Sequence, residues 1–267
     1  MIKDITLGQY FPGESVIHRL DPRIKIILTL LYITALFMIK NFTGYIIFAA
    51  FTFEMIYIST VPVKYVFKGL KPLVFIIIFT AFINIFMTGG RPLFSIGPLL
   101  ATYEGLNMAI LMTLRLLFLI IGTSLLTFTT SPISLTDGIE KLLNPFRRIG
   151  VPAHELAMMM TIALRFIPTL LEETDKIMKA QMARGADFES GNLLKRAKGL
   201  VPLLVPLFIS AFRRADDLAI AMESRCYRGG DQRTRMKQLK LHNRDYIAIG
   251  LVIGLMIILF LVRGLKY

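Results

Sequence analysis

Four stretches of nearly unbroken apolar sequence stand in the first half of this chain: Ile24 to Ile39, Gly44 to Val61, Leu73 to Thr88 and Gly105 to Thr130. A fifth, Tyr246 to Val262, stands alone near the end, with Arg244 and Asp245 before it and Arg263 after it. Crossing about 30 Å of hydrocarbon takes about 20 apolar residues in a helix, range about 17–25, because every backbone polar group must be paired inside the segment. The first and third runs are short and need flanking residues to complete a crossing. The pattern predicts an all-α integral membrane protein with about five transmembrane helices. Composition agrees: 55% of the 267 residues are hydrophobic and 18% charged, against about 45–50% and about 25% in soluble domains. An ordinary soluble enzyme is excluded.

The net charge of +13 would suit a nucleic-acid binder, but basic residues are also what flanks spans beside lipid. With apolar runs this long, the expected partner is the bilayer and not nucleic acid. Basic residues of short loops stay preferentially in the cytoplasm. The N-terminal arm carries Lys3, Arg19, Arg23 and Lys25, and the second connection Lys64, Lys68 and Lys71, whereas the first and third hold only Lys40 and Arg91. This predicts a multi-pass protein of the cell membrane with the N-terminus and the stretch from Ser131 to Asp245 on the cytoplasmic side and the C-terminus outside. The polar N-terminus does not read as a cleavable signal peptide.

Ser131 to Asp245 is charged, yet it contains two apolar blocks. Leu156 to Leu171 holds Arg165 and Pro168, and Leu200 to Phe212 holds Pro202 and Pro206. Each continues into charged helical sequence without a turn signal. Half-apolar helices of this kind suit a membrane surface or a protein groove. The expected division is therefore 1–130, an N-terminal cytoplasmic arm and transmembrane helices 1–4; 131–245, cytoplasmic helices; and 246–267, the last transmembrane helix and a short tail. A seven-span protein in which both blocks cross is the alternative, disfavoured by the prolines and Arg165.

The two blocks end alike. Laying Thr174–Gly185 over Ala215–Cys226 puts Asp175 on Asp216, Ala180 on Ala221 and Arg184 on Arg225. Each arginine sits between small residues, Ala183 and Gly185 in one case, Ser224 and Cys226 in the other. Small neighbours let a partner approach the backbone closely, while a guanidinium offers a planar donor fork to a carboxylate. The plainer alternative is an arginine that complements a helix C-terminus and is solvated.

The chain resembles the transmembrane T component of energy-coupling factor (ECF) transporters, the vitamin and metal-ion importers driven by a pair of ABC-type ATPases. The resemblance covers nearly the whole chain. It rests on Leu20-Asp21-Pro22-Arg23-Ile24-Lys25, on Ala183-Arg184-Gly185 and on the ten residues Ala221 to Gly230, which include Ser224-Arg225-Cys226. It implies two long cytoplasmic coupling helices whose arginines, Arg184 and Arg225, dock in grooves of two ABC-type ATPase subunits. It also implies a small substrate-binding membrane protein (S component) as a further partner. Ser-Arg-Cys departs from the family's Ala-Arg-Gly but keeps the charge and the small neighbours.

No Gly-x-x-x-x-Gly-Lys-Ser/Thr loop occurs, so the expectation is a non-catalytic subunit with no cofactor of its own, ATP and Mg being bound by the ATPase partners. His18, His154 and His242 are scattered and the single Cys226 has no thiol partner, so no metal site and no disulfide within the chain are expected. Inside the spans, Glu54 and Arg115 are the ionisable residues, each ten positions past the start of its run, and they are candidates for an intramembrane pair. Two other classes stay open: a self-sufficient secondary transporter, which would show repeated halves with broken helices, and a membrane-embedded enzyme, which would need convergent His, Asp or Glu.

Overall fold

The computed structural model describes residues 10–96, 99–186, 188, 193–229 and 238–264. Among them the chain is mostly helical: α1 (Pro22–Met38), α2 (Phe42–Ser59), α3 (Val63–Leu70), α4 (Val74–Met87), α5 (Tyr103–Thr129), α6 (Pro132–Leu143), α7 (Ala153–Ala183), α8 (Leu193–Glu223) and α9 (Asn243–Gly264). A short antiparallel hairpin, β1 (Pro92–Ile96) and β2 (Leu99–Thr102), joins α4 to α5. The chain divides into two compact units. One holds α1 to α5 and α9; the other holds α7 and α8, and the boundary after Gly138 falls inside α6.

Among the described residues five helical stretches are long and apolar enough to cross a bilayer: Phe42–Ser59, Val63–Met87, Tyr103–Thr129, Ala153–Ala183 and Asn243–Arg263. The number matches the sequence expectation and the membership differs by one. The expected first span forms α1, a helix of 17 residues, about 26 Å long at 1.5 Å per residue and so at the short limit of a crossing. By length and composition alone α7 also qualifies, with the lowest mean hydropathy of the five, 1.2 against 2.6 for α9. Five of its seven charges lie from Glu172 onward, and the more apolar part before them still holds Glu155 and Arg165. The basic second connection is no loop: Lys64 and Lys68 lie on α3, and Lys71 opens the 3-10 turn that leads to α4.

In the first unit α1 packs against α5 and α9. The core is aromatic at its centre, with the rings of Tyr32 and Phe48 4.6 Å apart and those of Phe48 and Phe118 5.6 Å apart. The Tyr32 hydroxyl donates to the Phe118 carbonyl at 3.1 Å, which removes the penalty of burying a polar group among apolar ones. Gly122 makes this possible, because a Cβ there would fall 2.2 Å from the Tyr32 ring. The outer faces carry Phe75, Ile78 and Phe79 on α4 and Phe260 and Leu261 on α9, apolar surface of the kind lipid requires.

Polar groups close the helix ends of this unit. Asp21 caps α1, accepting the Arg23 backbone N–H at 2.9 Å, with Pro22 in the first turn where its missing N–H costs nothing. Asp245 accepts the His242 backbone N–H at 2.8 Å and the Asp21 backbone N–H at 2.9 Å, so one buried carboxylate caps α9 and ties it to the start of α1. Lys25 reaches from α1 to the end of α5, donating to the Thr129 carbonyl at 2.7 Å and to Thr130 Oγ1 at 3.2 Å.

The second unit is built on α7 and α8, each 31 residues long. Both stay helical through internal prolines, Pro168 in one and Pro202 and Pro206 in the other. They run antiparallel: His154 at the start of α7 meets Tyr227 just past α8 at 3.3 Å, and Glu173 further along α7 accepts from Arg214 at 2.9 Å. Val201, Leu204, Val205, Phe208 and Phe212 are all exposed on α8, and their spacing forms one apolar stripe.

Candidate functional site

Arg184 and Arg225 occupy the same position in the same backbone motif. After α7, the Gly185 N–H donates to the Met182 carbonyl at 2.9 Å and the Ala186 N–H to the Gln181 carbonyl at 2.9 Å. After α8, the Cys226 N–H donates to Glu223 at 2.8 Å and the Tyr227 N–H to Met222 at 3.0 Å. Each pair is the Schellman arrangement, in which the two residues past the cap turn back to the last orphan carbonyls. The arginine is the cap residue both times. The next residue takes the left-handed conformation, Gly185 at φ 88° and Cys226 at φ 56°. Glycine adopts this without strain, and cysteine does not.

The correspondence extends inward. Glu173 and Arg214, which pair across the two helices, each lie 11 residues before their own helix's arginine (184 − 173 = 225 − 214 = 11). The arginines themselves are far apart. Tyr227, two residues past Arg225, donates its hydroxyl to Met158 Sδ at 3.0 Å. Arg184 lies 26 residues beyond Met158 (184 − 158 = 26), or about 39 Å along α7. Both arginines are exposed, and neither guanidinium has a hydrogen-bond or ion-pair partner among the described residues.

Several groups that sequence reasoning did not single out hold the Arg225 end. Beyond its contact with Tyr227, His154 meets Glu140 Oε1 through Nδ1 at 3.1 Å. Tyr227 thus belongs both to the cap of α8 and to a polar chain reaching α6. Its place directly after the small-Arg-small triplet was the available signal, but the distance from His154 to Tyr227 in sequence hid the contact.

The N-terminal motif lies in the first unit, where it is a junction of helix ends. Besides capping α1, Asp21 binds the Arg23 guanidinium through both oxygens, at 3.0 and 2.8 Å. Burial pushes the Asp21 carboxyl up, but the hydrogen bonds and charge of Arg23 outweigh it and hold the group below its ordinary value. Arg23 also reaches the Leu239 carbonyl at 3.4 Å, which draws the segment before α9 toward α1.

Glu54 and Arg115 are not brought together. Glu54 is exposed on α2. Arg115 donates to the Ile39 carbonyl at 3.3 Å and lies 5.4 Å from the Phe37 ring centre, a cation–π arrangement. No hydrogen bond or ion pair joins the two among the described residues. Among the described residues no group of His, Cys, Asp and Glu is arranged to hold a metal ion.

Comparison with known proteins adds identity to this geometry. Residues 13–236 match the family model of the cobalt transport protein CbiQ. The energy-coupling factor transporter transmembrane protein EcfT of Clostridium kluyveri is 68% identical over 250 residues, 93% of each chain. Proteins of the same name from Thermosediminibacter oceani and Bacillus subtilis are 65% and 48% identical, over 94% and 99% of this chain and 96% and 100% of their own lengths. With likeness running nearly end to end in relatives and helices fit to cross a bilayer several times, the chain belongs to the family of transmembrane T components, the energy-coupling membrane proteins of ECF transporters.

Proposed function

We propose that this chain carries movement from two ABC-type ATPase subunits to a separate small membrane subunit that binds the substrate, a vitamin or metal ion, and so drives its uptake. The chain itself does no chemistry. ATP and Mg belong to the ATPases, and the N-terminus and residues 131–245 face the cytoplasm where those subunits are.

The observation that carries this reading is the pair of equivalent arginine caps. A cap residue followed by a left-handed turn stands at a blunt helix end with little side chain around it, so Ala183, Gly185, Ser224 and Cys226 leave Arg184 and Arg225 room to enter a groove. There a guanidinium and a carboxylate make a planar, two-pronged pair. Two such points about 39 Å apart on antiparallel helices convert closure of two ATPases into a change in the angle or spacing of α7 and α8. The exposed apolar stripe of α8 supplies surface for the substrate-binding subunit, being larger than isolated surface leucines and valines explain.

Arg184→Ala and Arg225→Ala test the reading. Truncating one side of a buried charge-assisted contact costs about 2–5 kcal/mol. Each change is expected to weaken co-purification of the ATPases or to uncouple hydrolysis from uptake, with the double change more severe and lysine a poor substitute. Membrane insertion and protein level stay normal. A double alanine variant that still assembles and supports full uptake would leave the arginines as solvated helix ends.

A further inference from the structure

We infer that a cleft in the first unit, bordered by α1, α2, α5 and α9, is a binding site for one acyl chain of an anionic phospholipid whose headgroup is held at Arg244. This goes beyond the coupling role and does not rest on it. The cleft has a cavity volume of about 170 Å³ and opens to the outside. Its walls are almost wholly apolar, with Leu28, Met55, Leu125 and Leu251 among the lining residues. Three of the bordering helices, α2, α5 and α9, are long and apolar enough to span a bilayer, so lipid chains are the surrounding medium.

Apolar lining alone does not select an occupant, because lipid tails are as apolar as the walls. The selection comes from one end. Lys25 and Arg244 both line the cleft, near the starts of α1 and α9, where the positive ends of two helix dipoles converge. The acidic groups of that rim are already engaged: Asp245 by the backbone N–H groups of Asp21 and His242, and Asp21 by Arg23. Lys25 donates to the His18 and Thr129 carbonyls and to Thr130 Oγ1, so its protons are taken while its charge remains. Arg244 is exposed and has no hydrogen-bond or ion-pair partner among the described residues. An apolar slot with a free guanidinium at a cationic mouth is complementary to a phosphate ester carrying a fatty chain. The chain fills space that would otherwise forfeit packing contacts.

The sequence contains no tryptophan, which makes a single introduced one a clean reporter. Full-length Met55→Trp and Leu251→Trp variants place it in the cleft, the second at a position 59% exposed that tolerates the larger ring. Phe53→Trp, on the outward face of α2, is the reference. Each is reconstituted in phosphatidylcholine vesicles and titrated with chain-brominated phosphatidylglycerol, which quenches indole on contact. The cleft positions are expected to be half-quenched at a mole fraction about fivefold below that for Phe53→Trp, the factor that one basic group near a membrane surface supplies. Adding Arg244→Gln is expected to remove that advantage. Identical curves at all three positions, an advantage that survives Arg244→Gln, or equal quenching by brominated phosphatidylcholine would each overturn the assignment. So would cleft positions that neither lipid quenches, which would mean that protein fills the space.

Discussion

Asp245 accepts the backbone N–H of Asp21 at 2.9 Å across 224 residues of sequence, and through its other oxygen it accepts the N–H of His242 at 2.8 Å. It is 2% exposed. This one carboxylate therefore satisfies a donor at the start of α1 and another at the start of α9.

Removing it takes the partner from both N–H groups; that of Asp21 is buried, and an unsatisfied buried donor costs about 1–3 kcal/mol. Asp245→Ala is expected to lower the thermal stability of the solubilised protein by that amount or more. Asp245→Asn, which keeps one acceptor oxygen, is expected to lose less. Thermal melts followed by circular dichroism measure both, and equal stability of Asp245→Ala and the parent chain would contradict the account.

The left-handed positions after the two arginines predict opposite responses. Cys226 stands at φ 56° where glycine stands in the equivalent turn, and a non-glycine residue there costs about 1 kcal/mol. Cys226→Gly is expected to stabilise the end of α8. Gly185→Ala is expected to destabilise the end of α7 by a similar amount, although a Cβ there would meet nothing within 4 Å. Amide exchange at residues 181–186 and 222–227 reads the two ends separately.

His18 makes stability depend on pH. Burial lowers its pKa below the ordinary 6.5, and although its bond to the Phe11 carbonyl opposes this, the charge of Lys25 adds to the lowering. The neutral ring fits the contacts, with Nε2 donating to Phe11 at 3.0 Å and Nδ1 accepting from the Ser15 hydroxyl at 2.7 Å. Because the folded state binds the proton less readily than the unfolded chain, the contribution is complete above pH 6.5 and is lost as pH falls through that value toward the folded-state pKa. Melting temperatures between pH 7.5 and 5 should fall more steeply for the parent chain than for His18→Asn.

Glu54 and Arg115 are expected to act independently. Arg115→Gln removes the bond to Ile39 and the contact with Phe37, whereas Glu54→Gln touches no contact among the described residues. A double-mutant cycle on thermal stability should be additive within about 0.5 kcal/mol. Coupling larger than 1 kcal/mol would mean that the two meet in the membrane.

The apolar runs by themselves determined that this chain is helical and membrane-embedded, because lipid leaves a spanning backbone no other way to pair its polar groups. Sequence also brought out Arg184 and Arg225, since a helix end announces itself locally through small residues and glycine. Tertiary structure decided what depends on rotation about a helix axis and on distant partners. Equal depth along α2 and α5 said nothing about which sides face each other, so Glu54 and Arg115 looked like a pair and are not one. The Asp21-Pro22-Arg23 motif read as a family mark, and only packing assigned it the work of gathering the starts of α1 and α9. The contacts of Asp245 and Tyr227 were hidden for the same reason: their partners, Asp21 and His154, lie 224 and 73 residues away, and no local pattern encodes a contact of that reach.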